Sequence, residues 1–203
     1  MTNATPLTAP TLADSIWPLG EKTAAQRMVR GVILAFVGSM LIAISSKIQV
    51  PFYPVPMTMQ TYVILTIGMA FGPRLGMATI LLYLAEGAVG LPVFAGTPAK
   101  GIGLTYMMGG TGGYLVGFVL AVAICGWGAT RGWDRNIWKS AAVMFVSTVV
   151  IFIPGILWLG ALFGWDKPIL AWGLYPFIWG GLFKISLAAV TLPLIWQGLN
   201  RRS

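Results

Sequence analysis

The chain has 203 residues, of which 57% are hydrophobic and only 9% are charged. A soluble domain carries roughly 25% charged residues because its surface faces water, so this composition excludes a soluble globular fold. The formal net charge is +8, but the basic residues are scattered between apolar runs, which argues against nucleic-acid binding. The composition predicts an all-α integral membrane protein surrounded by lipid.

The N-terminal part of the chain, residues 1–27, is predicted to be a polar tail that precedes a membrane domain at 28–203. The first 20 residues are rich in Thr and Pro, and the first basic residue is Lys22. A basic segment followed by an apolar core, as in a cleavable signal peptide, is therefore not expected.

Six membrane spans are predicted from the apolar runs and the helix breakers between them. They lie at 28–46, 55–72, 74–91, 112–130, 138–161 and 174–199. The second and third form one apolar run that is split by Gly72-Pro73-Arg74. Glycine followed by proline stops a helix, so this run predicts a tight helical hairpin and not one long helix.

The basic residues divide between the two sides of this arrangement. Nine fall on one side: Lys22, Arg27, Arg30, Arg74, Arg131, Arg135, Lys139, Arg201 and Arg202. Three fall on the other: Lys47, Lys100 and Lys167. Cytoplasmic loops carry the excess of Lys and Arg, so both termini are predicted to be cytoplasmic. An even number of spans also places both termini on the same side of the membrane.

Two outer connections, 47–58 and 91–111, are rich in Pro and Gly. Stiff backbone without helix is tolerated near a bilayer only where it is buried in protein or lines a cavity. These segments are predicted to cap an outward-facing substrate pocket. The alternative is a pair of ordinary surface loops.

The chain lacks the residues that catalysis or metal binding would need. It contains no histidine, and no two of its five acids share a predicted span. The glycine-rich segment 109–113 lacks the Lys and Ser/Thr of a phosphate-binding loop. We therefore expect no enzyme activity, no catalytic residues, no metal site and no cofactor. Energy for uptake would come from a partner ATPase, because ion coupling would require buried acids near the midplane.

Three charged residues are candidates for contact with a ligand. Lys184 lies inside the last span, Glu86 near the outer end of the third span, and Lys100 in an outer loop. A lysine ammonium suits a ligand carboxylate, and a glutamate accepts hydrogen bonds from ligand N–H groups. The alternatives are a lysine that pairs within the bundle, a carboxylate at a helix end and a solvated loop lysine.

Other side chains extend this pattern. Aromatic residues on the outer half are predicted to wall an apolar ring: Phe52, Tyr53, Tyr83, Phe94, Tyr106 and Tyr114. Small residues recur every four positions on one face of the first span: Gly31, Ala35, Ser39 and Ala43. Such a stripe permits close helix approach, either to a partner subunit or within the same bundle. The single cysteine, Cys125, is expected to be a packed thiol.

Three segments resemble the BioY proteins, the biotin-binding S components of energy-coupling factor (ECF) transporters. They are Val50 to Gln60 (VPFYPVPMTMQ), Gly87 to Gly96 (GAVGLPVFAG) and Thr111 to Phe118 (TGGYLVGF). The segments occur in the family's order and spacing, and the resemblance extends over residues 28–199. The chain departs from the family pattern at Gly110, where proline is usual, and at Gly181, where aspartate is usual.

The resemblance implies a six-helix S-component bundle that binds biotin beneath the first and third connecting loops. Glu86 would accept from the ureido N–H groups, with Lys100 or Lys184 holding the valerate carboxylate. The implied contacts also include Thr58, Gln60, Tyr83, Phe94 and Tyr114. The stripe of the first span would be the docking surface, and Ala35, Ser39 and Ala43 would be its centre.

The resemblance further implies a transmembrane coupling protein and two ATPase subunits as partners in the bacterial cytoplasmic membrane. Biotin would be the transported ligand. An S component for another vitamin and a self-sufficient ion-coupled carrier are the alternatives. The sequence leaves open whether the chain works alone, forms a homo-oligomer or always needs the ATPase module.

Overall fold

The computed structural model describes residues 9–18, 23–50 and 53–201, and it is almost entirely helical. The predictions made for Lys22, Phe52 and Arg202 lie outside these residues. In chain order the elements are α1 (Leu12–Ile16), α2 (Ala24–Lys47), β1 (Gln49–Val50), β2 (Met57–Thr58), α3 (Gln60–Ala88), α4 (Gly103–Met107), α5 (Gly112–Thr130), a 3-10 turn (Trp133–Arg135), α6 (Ile137–Phe163), α7 (Ile169–Gly173) and α8 (Phe177–Asn200).

Five helical stretches in the described chain are long and apolar enough to cross a membrane: Ala24–Lys47, Gln60–Ala88, Gly112–Thr130, Ile137–Phe163 and Ile169–Leu199. The second of these, α3, is two spans in one element. Gly72 breaks it with φ 74° and ψ −176°, a conformation that favours glycine, and Pro73 follows.

The two arms of α3 fold back on each other. The Nε2 atom of Gln60 donates to the hydroxyl of Tyr83 at 2.7 Å, although 23 residues of straight helix would separate them by about 35 Å. A Cβ built on Gly76 would lie 3.5 Å from the Cα of Gly68. The predicted hairpin is therefore confirmed, and the bundle has six antiparallel spans.

The bundle has two distinct ends. The start of α2, the Gly72 turn, the 3-10 turn and the end of α8 share one end, which we call the terminal end. The β1–β2 hairpin and the segments 89–111 and 164–176 form the opposite end, which we call the loop end. The described basic residues divide between these ends as the sequence predicted.

Helix α5 is the centre of the packing, with α3 on one side and α6 on the other. Glycines make this possible, since a Cβ on Gly117 would lie 2.7 Å from the Cα of Ile151. Cys125 of α5 is fully buried, and its Sγ lies 3.2 Å from the hydroxyl of Ser147. The prediction of a packed thiol is confirmed. Helix α2 is peripheral and packs mainly on α3.

Two boundaries differ from the sequence prediction. Residues 55–59 do not belong to a span, because Met57–Thr58 pairs antiparallel with Gln49–Val50 and Pro54 and Pro56 interrupt the helix. The first capping segment is thus a short hairpin that enters α3 only at Gln60.

The predicted polar tail is also partly structured. Thr11 caps α1, Leu12 and Ala13 are buried against the bundle, and Arg30 forms an ion pair with Asp14 at 3.1 Å. Apolar contact and a paired charge therefore hold residues 9–18 on the terminal end. Helix α2 begins at Ala24, four residues before the predicted start of the membrane domain at residue 28.

Candidate substrate-binding site

A cavity opens inside the bundle near the loop end. The space between its walls measures about 670 Å³, including the part that is open to solvent. Helices α3, α5, α6 and α8 contribute walls, and the two capping segments contribute the cover. The lining residues are Val55, Pro56, Thr58, Gln60, Thr61, Tyr83, Phe94, Ala95, Tyr106, Thr111, Tyr114, Leu115, Phe118, Thr148, Ile151, Phe152, Phe177, Gly181 and Lys184.

Among the described residues of this lining, Lys184 supplies the only charged side chain. It is 6% exposed, and its Nζ donates to the backbone carbonyl of Thr58 at 2.9 Å. An ammonium group has three donors, so two remain available. In the described part of the chain Lys184 has no acidic partner within ion-pair distance. The geometry offers a buried positive charge to an anionic group that enters the cavity.

Gly181 lies three residues before Lys184 and also lines the cavity. A Cβ at this position would meet only the Cγ2 atom of Thr148, at 4.0 Å. The position at which the family usually carries an aspartate is therefore open space, and the ammonium of Lys184 is not neutralised from within its own helix.

Aromatic rings form the wall on the side of the third connection. The ring of Phe94 is stacked on Tyr106 at 4.8 Å between centroids and meets Tyr83 edge-on at 5.4 Å. Gly87 makes room for it, since a Cβ there would overlap the Phe94 ring. Burial raises the pKa of Tyr106, so its hydroxyl stays protonated at neutral pH. These rings offer an apolar surface with phenol groups at its edge.

Gln60 is the buried amide of the cavity, with only 4% of its surface exposed. Its Nε2 donates to the Tyr83 hydroxyl at 2.7 Å, and that hydroxyl donates to the carbonyl of Val93 at 3.2 Å. This chain of hydrogen bonds fixes the orientation of the amide. Its oxygen, Oε1, is left as a hydrogen-bond acceptor for a ligand donor.

The structure brings together six of the eight residues predicted to contact substrate. Those that line the cavity are Thr58, Gln60, Tyr83, Phe94, Tyr114 and Lys184. Glu86 lies outside the lining, where it accepts a hydrogen bond from the hydroxyl of Ser39 on α2. Lys100 is exposed, and its methylene chain lies against Gly96. Neither side chain reaches the cavity in this conformation.

The small-residue stripe of α2 is used inside the bundle. Ala35 is 7% exposed and Ser39 is fully buried, Ala43 packs against the core, and Gly31 is half-buried. The exposed face of α2 instead carries large apolar side chains such as Val32 and Phe36. This placement favours the alternative stated from the sequence, close packing within the same bundle, because buried side chains present no surface to a partner.

Several lining residues were not predicted. Thr148, Ile151 and Phe152 come from α6, and Phe177 and Gly181 come from α8. Three of these five are apolar side chains in apolar helices, so the residues themselves give no sign that they face a cavity. Gly181 was marked only as a departure from the family pattern. Thr148 is the exception, since a hydroxyl in an apolar span is a signal, although its Oγ1 also donates to the carbonyl of Met144 at 2.8 Å. Of the aromatic residues predicted, Tyr106 lines the cavity, whereas Tyr53 is 77% exposed.

Comparison with known proteins agrees with this architecture. A "Probable biotin transporter BioY" from Pyrococcus horikoshii is 34% identical over 150 residues, covering 74% of this chain and 86% of that protein. The "Biotin transporter BioY" from Thermotoga maritima is 31% identical over 162 residues, covering 80% and 93%.

The crystal structure of an S component for biotin from an ECF-type ABC transporter superposes with a TM-score of 0.72. The match covers 87% of this chain and 95% of that one at 23% identity, so it establishes a shared fold. The model of the BioY family matches residues 19–201. The chain therefore belongs to the BioY family.

Proposed function

We propose that this protein captures biotin from the side of the loop end, as the substrate-binding S component of an ECF-type transporter. The observation that carries the proposal is Lys184, a buried ammonium without an acidic partner in the described chain. No other described residue in the cavity lining is charged. The similarity to proteins named as a probable biotin transporter and a biotin transporter supports the choice of ligand.

Biotin combines a carboxylate on a flexible chain with an apolar bicyclic ring that carries two ureido N–H donors. Lys184 is assigned to the carboxylate, because charge-assisted hydrogen bonds are the strongest that the cavity offers. Phe94, Tyr106 and Tyr114 are assigned to the ring. The ureido donors, which the sequence assigned to Glu86, are assigned to Gln60, whose oxygen is free and belongs to the cavity.

The orientation and the partners are part of the same proposal. The terminal end carries seven described basic residues: Arg27, Arg30, Arg74, Arg131, Arg135, Lys139 and Arg201. The positive-inside rule then places this end and both termini in the bacterial cytoplasm and directs the cavity outward. A transmembrane coupling protein and two ATPases would supply the energy, since the chain has no phosphate-binding loop of its own.

A binding measurement with paired ligands tests the proposal. The purified protein in lipid nanodiscs is titrated with biotin, with uncharged biotin methyl ester and with other vitamins. We expect biotin to bind more tightly than the ester and than every other vitamin. Lys184→Met removes the ammonium and keeps the length of the side chain. It should weaken biotin binding about 30-fold or more, as expected for the loss of a buried charged partner.

The control is Lys167→Met, because Lys167 is exposed at the same end and pairs with Asp166 at 2.8 Å. It should bind biotin as the parent does. The affinity for the ester should change little in Lys184→Met. Equal weakening of both ligands would show that Lys184 does not meet the carboxylate, and preference for another vitamin would refute biotin as the substrate.

A further inference from the structure

The C-terminal end of α2 is tied by hydrogen bonds to the segment that covers the cavity, and the function proposed above does not use these contacts. The segment is 93–97, which we call the cover segment. The Nζ atom of Lys47 donates to the Phe94 carbonyl at 2.8 Å and to the Thr97 hydroxyl at 2.8 Å. The hydroxyl of Ser46 lies 2.7 Å from the Val93 carbonyl.

The cover segment carries the residues that close the cavity. Phe94 is 1% exposed and Ala95 is 5% exposed, and both line the cavity. A further bond within the segment, from the Thr97 hydroxyl to the Phe94 carbonyl at 2.6 Å, makes it a compact turn. Lys47 bonds to this turn at both of its ends, so the position of the Phe94 ring depends on Lys47.

The helix that supplies these bonds is much less enclosed than the central helix of the bundle. In the most apolar 18-residue stretch of α2, 33% of the residues are buried inside the bundle, compared with 61% in the corresponding stretch of the central helix α5. It packs mainly on α3. The backbone of the cover segment is therefore bonded mainly to a peripheral helix, while its aromatic side chain reaches into the core of the site.

We propose that Lys47, assisted by Ser46, is a positioning residue that holds the cover segment over the bound ligand and sets the rate of release. Lys47 is exposed, does not line the cavity and acts through Phe94. A displacement of the end of α2 would withdraw the cover, and the same bonds would close it again. The identity of the ligand in this inference rests on the proposed function.

The first test measures dissociation and association of biotin separately. Lys47→Met keeps the side-chain length and removes the donors. We expect dissociation about three- to tenfold faster and association changed less than about twofold, as for the loss of hydrogen bonds from a partly exposed charged group. Lys47→Arg, which keeps a cationic donor, should restore at least half of the change. Lys167→Met is the matched control and should leave both rates unchanged.

The second test needs no ligand. The only native cysteine, Cys125, is fully buried, so an Ala95→Cys variant reports on the cover through its rate of reaction with a soluble maleimide. Combining it with Lys47→Met, or with Ser46→Ala, should raise that rate about threefold or more. Thermal melts of each variant establish that the bundle is folded.

The two tests separate failure of this inference from failure of the proposed function. Unchanged labelling together with unchanged dissociation would overturn the role of Lys47. The role of Lys47 would also be overturned if Lys47→Met changed the association rate and the affinity by the same factor and left the dissociation rate unchanged. If labelling accelerates but the parent does not bind biotin, the cover mechanism stands and the choice of ligand fails.

Discussion

The two ends of the bundle are closed in different ways. At the terminal end, side chains join one helix to another: Arg30 to Asp14, and Trp196 to the fully buried Asp134 at 2.5 Å. At the loop end, side chains of α2 and α8 bond to backbone carbonyls of the connections, as Lys47 does to Phe94 and Lys184 to Thr58.

This difference matters for access to the cavity. At the terminal end the bonds join packed elements, and the loss of either partner would leave the other buried without it. Bonds from a helix to a connecting segment hold the other end shut while leaving space beneath it. The cavity lies beneath the end that the connections cover.

The comparison is tested most strongly by filling the space at the loop end. Gly181→Leu places a large apolar side chain in the cavity, and its Cβ would meet only Thr148. We expect loss of saturable biotin binding with a melting temperature close to that of the parent. The control is Gly198→Leu on the same helix, where nothing lies within 4 Å. Parent-like affinity of Gly181→Leu would show that this cavity is not the binding site.

The terminal end should respond in the opposite way, with loss of stability and retention of binding. Arg30 is 6% exposed, and it donates to the Ala13 carbonyl at 2.7 Å as well as to Asp14. Arg30→Met should lower the free energy of unfolding by about 1–3 kcal/mol, because Asp14 loses its charged partner and the Ala13 carbonyl keeps only the donor at Trp17 N. Thermal melts measure this effect, and Arg27→Met, exposed one turn earlier on α2, is the control. A large loss of biotin affinity in Arg30→Met would contradict the separation of the two ends.

The smallest expected effect is a pH dependence at Asp134. Burial raises the pKa of this carboxyl, although the Trp196 hydrogen bond and Arg135 oppose the shift. The folded state therefore favours the protonated form. Stability should fall as pH rises from the ordinary value of 3.8 through the raised pKa, and stay lower above it.

Asp134→Asn imitates the protonated carboxyl and still accepts from Trp196. It should abolish this slope and be at least as stable as the parent at neutral pH, because it carries no charge that burial penalises. Melts of both proteins over the acidic range measure the slope. A steeper slope in Asp134→Asn than in the parent would refute the protonation of Asp134.

The helices were predictable because their signals are local. Apolar runs give the spans, and Gly72 followed by Pro73 gives the hairpin, since both residues act on the backbone where they stand. The place of Lys184 in the cavity lining was predictable for a related reason, since a charged residue in the middle of a span avoids lipid and faces the bundle interior or a cavity.

The direction in which a side chain points around its helix was less predictable. Tyr83 and Glu86 are three residues apart on α3, yet Tyr83 faces Gln60 and Glu86 faces Ser39. Which groove each side chain enters depends on where α2 packs, and that is decided by contacts between distant parts of the chain. The same holds for α1, where two apolar residues and Asp14 in a polar stretch find partners only after the bundle has formed.

The turn at Gly72 also determines whether the chain crosses the membrane an even or an odd number of times. Its φ of 74° is readily adopted only by glycine, and a Cβ there would lie 2.7 Å from the Cγ2 of Thr11. If the 29 residues of α3 were straightened, they would form one rod of about 43 Å, longer than the hydrocarbon core of a bilayer. The number of crossings would become odd, and every later connection would emerge on the opposite face of the membrane. The β1–β2 hairpin, which precedes the turn, and the cover segment, which follows it, would then lie on different sides. One residue without a side chain therefore keeps the two parts of the cavity's cover in the same compartment.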